Sequence, residues 1–475
     1  MTMATLAWVA ETIGGTLVGP DTGFDSVSTD TRSIEPGQLF VALRGARHDA
    51  SAFVQVAAEA GAVAAVVEKQ QPISLPQVVV PDAGKALQTM AAAWRRRFTI
   101  PVLGVTGSNG KTTLKEMMAA IMRVHATLPG GRSVDVHPDD GSVLATWGNL
   151  NNHVGVPMTL LWLRAGHRAA VIEMGASGTG EIALLTRIAR PTVGVLTNAF
   201  PAHLAGFGGS LRGVAEAKGE LFAGLEAGAV AVVNRDDAFH GYWRGLRQDI
   251  EYRSFGLSPD ADFRAVDIVA SNGDGLRFRL VAPVGETLIR LPMAGSHNIQ
   301  NALAAAAATT AAGATLDSVR AGLAAMANVK GRLKAEPGPA GSTIYDDSYN
   351  ANPGSVAAAI RFLAGLDGQR WFVLGDMAEL GPTEIELHRE IGMLAAASGI
   401  DRFYGVGKLS RHAVEAFGPR GCWVSDVGAL AGQLRSDLAP DVHLLVKGSR
   451  SAGLERVVKA LNDPEGWTNG AGGAH

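Results

Sequence analysis

Residues 101–121 read PVLGVTGSNGKTTLKEMMAAI, and this stretch decides the fold class. Its first half, PVLGVT, is a short continuous apolar run of the kind that forms a strand buried on both faces of a parallel sheet. Its second half places Leu114, Met117, Met118 and Ile121 at helical spacing. A strand entering a helix through a Gly-rich turn is a phosphate cradle. Gly107 and Gly110 let the loop's backbone N–H groups, with Ser108 and Asn109 between them, turn toward phosphate oxygens, and the helix N-terminus adds its positive end. Lys111 then neutralises β and γ oxygens, and a hydroxyl of Thr112 or Thr113 can ligate magnesium. The strict motif G-x-x-x-x-G-K-[ST] wants glycine at position 105, where Val105 stands and Gly104 is one place early.

Other strands extend the pattern. AAVIEMG and PTVGVLTN are again short apolar runs ending at Gly or Asn, with helical segments between them, so the surroundings of the loop are α/β. A P-loop needs an acidic magnesium ligand at the end of a neighbouring strand, and Glu173 is the only charge between Ala169 and Ser177. His203 follows a third strand and joins the candidates. Lys218, in VAEAKGELF, sits on a predicted helix, where a lysine is ordinarily solvated and paired with Glu216 or Glu220.

The 475 residues suffice for about three domains. Expected boundaries lie near 98 and 331: a small α/β domain over 1–97, a P-loop domain with a mostly parallel sheet over 98–330, and a Rossmann-like domain over 331–475. The joints at both boundaries are expected to let the domains close. In the first, Leu6, Val9, Ile13 and Leu17 predict one amphipathic helix, and Gly84 to Arg97 a second. In the last, WFVLGDM, RFYGVG and VHLLVKGS predict buried strands whose loops face ligand. Residues 128–142 are rich in turn formers and read as a mobile surface loop; the tail from Asn469 reads as disordered.

With 18% charged residues and a net charge of −3, the chain is neither disordered in composition nor a basic nucleic-acid binder. The N-terminal segment fails as a signal peptide, no window reaches the roughly 20 apolar residues of a membrane span, and a lone Cys422 fits a reducing compartment. A cytoplasmic protein is expected. Only ten of its 42 basic residues are lysine, so each lysine is informative.

Taken together, TGSNGKTT, GNLNNHVGVP, IEMG, TNAFPAHL, EAKGELF, HNIQNALAA, the Gly331–Arg332 pair and KGSRS resemble the Mur ligases, the ATP-dependent amide-bond-forming family of peptidoglycan synthesis. The similarity runs over nearly the whole chain. Within the family, DDSYNANP, GDMAELG, STDTR and LFVALRG resemble the member that adds the terminal dipeptide. The resemblance implies ligation of D-alanyl-D-alanine to UDP-N-acetylmuramoyl-tripeptide through an acyl phosphate, with ATP and Mg2+, by a monomer that needs neither nucleic acid nor membrane. The N-terminal domain would hold the UDP-muramoyl substrate. ATP would be held by residues 107–113, Asn298, Arg332 and Asp347; the metal by Thr112, Glu173, His203 and a carbamoylated Lys218; the substrates by Ser28, Asp30, Arg32, Asn152, Tyr349, Asn350 and Asn352. Lys111, Glu173, His203, Lys218 and Arg332 would carry the catalysis. The rivals are a tripeptide-forming Mur ligase, a folylpolyglutamate synthase or a P-loop switch without ligation. Two departures stand out: Asp49, Ala50 and Ser51 follow LFVALRG where the family usually shows Asp-Gly-His, and 128–142 lengthens a normally short link.

Overall fold

The computed structural model describes residues 2–45, 49–127, 141–271, 275–326 and 331–462; most of the 128–142 insertion and the tail from Asn469 lie outside these. Three separate sheets account for the main strands. The first has the order Thr16–Val18, Gln77–Val79, Ala64–Val67, Gln38–Val41, Ser26–Ser28, with only its first pair antiparallel. The helix before it is shorter than the periodicity predicts. It spans Leu6–Ile13, because Gly14 takes a left-handed φ of 66° that caps it, and Leu17 instead pairs with Val78 in the sheet. The second predicted helix spans Ala83–Arg95, opened by the Asp82 side chain on the Lys85 N–H.

The central sheet has nine strands. Six of its neighbouring pairs are parallel, and a three-stranded antiparallel meander over Phe263–Ser271, Gly275–Ala282 and Gly285–Leu291 forms one end. The strand Val102–Thr106 is flanked by Ala169–Glu173 and Val193–Leu196. Register sets Glu173 beside Val105 and Leu196 beside Thr106, so three carboxyl ends open on one spot.

The third sheet runs Lys334–Pro337, Thr343–Asp347, Val442–Lys447, Gln369–Gly375, Arg402–Val406, Gly421–Val424, and only the first pair is antiparallel. Asp347 and Lys447, the last residues of adjacent strands, are register partners.

The two joints are built differently. One continuous apolar core joins the first sheet to the central one, from Leu6, Val9 and Leu39 through Leu87 and Trp94 to Leu160, Ile182 and Trp243. Trp94 Nε1 donates to Leu163 O at 3.1 Å and buried Arg95 Nε to Ala189 O at 3.0 Å. The third sheet instead packs within two cores of its own.

Candidate active site

The P-loop is held from below by the strand end beside it. Ser108 N–H donates to Asn198 O at 3.0 Å, Asn109 N–H to Asn198 Oδ1 at 2.9 Å, and Thr197 Oγ1 to Asn109 O at 2.7 Å. Gly107 and Gly110 have φ of 141° and 83°, and a Cβ on Gly107 would collide with Thr197 Oγ1. The displaced glycine has a different duty: at Gly104 a Cβ would meet Pro191 at 2.9 Å and Met174 at 3.0 Å, so its smallness makes room for the side chains of two segments that flank the neighbouring strands. Lys111 Nζ lies over the loop, donating to Gly107 O at 2.7 Å, and burial pushes its pKa down against the pull of Glu173.

Glu173 is buried at its strand end. Asn151 Nδ2 donates to its Oε1 at 2.8 Å and its backbone N–H donates to Thr146 Oγ1, while Oε2 is buried with no hydrogen-bond partner. Such an orphaned carboxylate oxygen is costly unless a cation meets it. No group of three His, Cys, Asp or Glu that could hold a metal occurs among the described residues. Any magnesium here would therefore draw part of its shell from other oxygens, those of phosphate and water among them.

Lys218, on the helix Leu211–Ala223, is 3% exposed, which excludes the solvated reading. Glu216 is taken by Arg212, and Glu220 caps Gly180 and Ala183. Lys218 Nζ is left with Ala176 O at 3.3 Å and the face of Phe207, its ring centroid 5.1 Å away. Burial, helped by the charge of Lys111, takes its pKa down to about 7. His203, in left-handed backbone at φ 53°, turns Nδ1 to Glu379 of the third sheet's domain, and burial pushes its pKa down.

From that domain Arg332 reaches back, its guanidinium 3.4 Å from Thr112 Oγ1 and 4.3 Å above the Tyr349 ring. Lys111, Thr112, Glu173, His203, Lys218, Arg332, Asn152, Tyr349, Asn350 and Asn352 all line one cleft of about 630 Å3. A second cavity of about 270 Å3 adjoins it, lined by Thr113, Asn298, Asp347, Lys447, Phe255 and Leu257 among others. There Asn298 Oδ1 accepts from Asn301, and Asp347 is ion-paired with buried Lys447 at 2.6 Å.

Three expected substrate residues beside the cleft have polar atoms engaged within the protein. Asn152 Oδ1 accepts the N–H groups of Val154 and Gly155. Asn352 caps the helix Pro353–Ala364 and exchanges two amide hydrogen bonds with Asn109, at 2.7 and 3.2 Å. Asn350 uses its carbonyl on Lys447. Ser28, Asp30 and Arg32 form a self-contained turn, Arg32 bidentate on Asp30, and none of them lines either cavity. Asp49 opens a short turn over Ala50–Phe53 and accepts from Ser51 Oγ at 2.6 Å. Sequence reasoning missed Asn151, Glu379, Asn301 and Lys447. All four lie inside motifs already noticed, GNLNNHVGVP, GDMAELG, HNIQNALAA and KGSRS, but apart from the scarcity of lysine at Lys447 nothing local distinguished them from their neighbours.

A P-loop domain with a strand-end acid and a buried lysine, covered by an arginine from a second α/β domain, defines a nucleotide-dependent enzyme that moves phosphoryl groups. Family models match in three places: the Mur ligase family catalytic domain over 24–124, the Mur ligase middle domain over 105–309, and the Mur ligase glutamate ligase domain over 331–450. The UDP-N-acetylmuramoyl-tripeptide–D-alanyl-D-alanine ligase of Escherichia coli K12 is 42% identical over 468 residues, 98% of this chain and 99% of that one. Crystallised MurF from Acinetobacter baumannii superposes with a TM-score of 0.88 at 32% identity, covering 97% of this chain and 99% of the other. MurF ligase from Thermotoga maritima in complex with ADP gives 0.79 at 27% identity, covering 92% and 96%. The chain belongs to the Mur ligase family, and it is an ATP-dependent amide ligase.

Proposed function

We propose that the chain joins D-alanyl-D-alanine to UDP-N-acetylmuramoyl-tripeptide, yielding the pentapeptide, ADP and phosphate for peptidoglycan synthesis, as a cytoplasmic monomer. The observation that carries the reading is the single cleft in which Lys111, Glu173 and Lys218 of the P-loop domain face Arg332 of the closing domain. Its support outside the cleft is the full-length similarity to ligases named for this reaction. No helix among the described residues is long and apolar enough to cross a membrane.

A carboxylate resists attack by an amine because oxide is a poor leaving group. In the proposed course the tripeptide carboxylate takes the γ-phosphoryl group from ATP, releasing ADP and leaving an acyl phosphate. The dipeptide ammonium gives up one proton to solvent, the free amine adds to the acyl carbon, and the resulting tetrahedral centre collapses to the amide as phosphate leaves and the second nitrogen proton passes to phosphate or solvent. Lys111 and Arg332 lower the barrier by holding the phosphoryl oxygens and offsetting their charge. The second cavity takes the nucleoside, with Asn298 at the base and Asp347 at the ribose.

The orphaned Glu173 oxygen fits a divalent cation, with Thr112, His203 and carbamoylated Lys218 as the other residues that would hold it. Magnesium, when bound, would neutralise phosphate oxygens. Carbamoylation joins the neutral Lys218 amine to carbon dioxide with loss of a proton, and the pKa of about 7 supplies that neutral form. Ser28, Asp30 and Arg32 belong in this reading to the UDP end of the substrate.

The test offers D-Ala-D-Ala, diaminopimelate and glutamate with the matching UDP-muramoyl precursors and weighs the product. A pentapeptide mass with D-Ala-D-Ala alone is expected. Product with either of the others, or phosphate release without any product, defeats the proposal.

A further inference from the structure

We propose that Glu379 anchors the ammonium group of the incoming amine substrate. The inference deepens the ligase reading above and rests on it. Three acids line the main cleft, Glu173, Glu181 and Glu379, and only Glu379 comes from the closing domain. Glu173 gives one oxygen to Asn151, faces Lys111, and its other oxygen is the one assigned above to the divalent cation. Glu181 accepts from the Ser177 N–H at 3.0 Å. Asp347, the nearby acid of the closing domain, is neutralised by Lys447. Glu379 has His203 as its ion-pair partner among the described residues, its side chain is 62% exposed to solvent, and it lines the cleft.

The loop that presents it is clamped on both sides. Asp376 accepts the backbone N–H groups of Lys408, Leu409 and Ser410 at 3.0, 2.9 and 2.8 Å. Met377 N–H donates to Nε2 of fully buried His388, whose Nδ1 donates to Glu384 O at 2.6 Å. Met377 and Leu380 are both wholly buried. Between these anchors Glu379 is held at φ 62°, a left-handed conformation that a glutamate adopts only where its surroundings impose it. A rigid loop that spends backbone strain to aim one carboxylate at a cleft lined by Lys111, Lys218 and Arg332 is suited to a cationic ligand. Arg450, with Ser449 and Ser451, lines the cleft from the same domain. A zwitterionic dipeptide thus meets an acid and a base on one body, and domain closure carries its amine toward the P-loop.

The test separates anchoring from closure. Hydroxylamine intercepts an acyl phosphate as a hydroxamate without needing the dipeptide site. Glu379→Gln should raise KM for D-Ala-D-Ala by about 10-fold to 100-fold, the usual loss for a hydrogen bond to a charged group, while hydroxamate formation and KM for ATP stay within about twofold. Glu379→Asp should recover part of the loss. An unchanged dipeptide KM overturns the proposal, and so does a parallel loss of hydroxamate formation, which would make Glu379 a closure contact. A wild-type enzyme that forms hydroxamate but no dipeptide product defeats the parent reading and this one with it; the Gln outcomes bear on this one alone.

Discussion

The joint between the first and central sheets and the joint between the central and third sheets are built from opposite materials. The first is apolar and continuous: Leu87, Trp94, Leu160 and Ile182 belong to one core, closed by hydrogen bonds from Trp94 and Arg95 to backbone carbonyls. The second is polar and sparse: an Asn109–Asn352 amide pair, the His203–Glu379 pair, and Arg332 at Thr112. Apolar burial is strong and non-directional, so a shared core makes two domains move as one. Hydrogen bonds across a cleft can be exchanged for bonds to water or substrate, so the second joint is held by contacts of a kind that cost little to break. The chemistry sits at the polar joint.

The contrast can be broken most forcefully at Trp94. Trp94→Ala should remove about 3–5 kcal/mol of stability by leaving a cavity in the shared core, with KM values unchanged. Calorimetry should show residues of the first and central sheets melting together, and a separate transition for the first domain would refute the shared core. At the polar joint, Lys218→Ala should lower kcat by about 10²–10³-fold with little loss of stability, and short-chain carboxylic acids should restore part of the rate. Full activity of the bare variant would remove Lys218 from the site.

A smaller effect is expected at the amide pair. Asn352→Ala should cost about 1–2 kcal/mol through the lost cap and cross-domain bonds, seen as a several-fold weaker ATP affinity and as a larger radius by small-angle scattering. An unchanged radius would deny the pair its closing role. The smallest expected effect concerns pH. Burial favours the uncharged amine of Lys218, which is half neutral at about pH 7 rather than 10.5. Lowering the pH through 7 protonates it and blocks carbamoylation, so activity should fall on the acid side and rise again with added bicarbonate. A profile insensitive to bicarbonate would contradict this.

Much of the site was legible in the chain because it is local. A P-loop is one strand, one turn and one helix, so Gly107 to Thr113 announce it within a few residues of each other. Glu173 was legible as a lone charge at the end of an apolar strand. Lysine scarcity pointed the same way: Lys111, Lys115, Lys218 and Lys447, four of the ten, lie in or beside the cleft or are buried. The helix through Leu17 was misread because two glycines, Gly14 and Gly15, end it while the apolar spacing runs on into a strand.

The sequence by itself determined the class of each sheet, the phosphate cradle and the acid beside it, since these follow from periodicity and from residues close along the chain. Only the tertiary structure decided that Lys218 is desolvated enough to lose its proton, that Asn352 spends its amide on Asn109, 243 residues away, and that Glu379 reaches His203. The reason is the same each time. Burial and cross-domain contact depend on which surfaces meet, and that is set by the whole packing rather than by any local pattern.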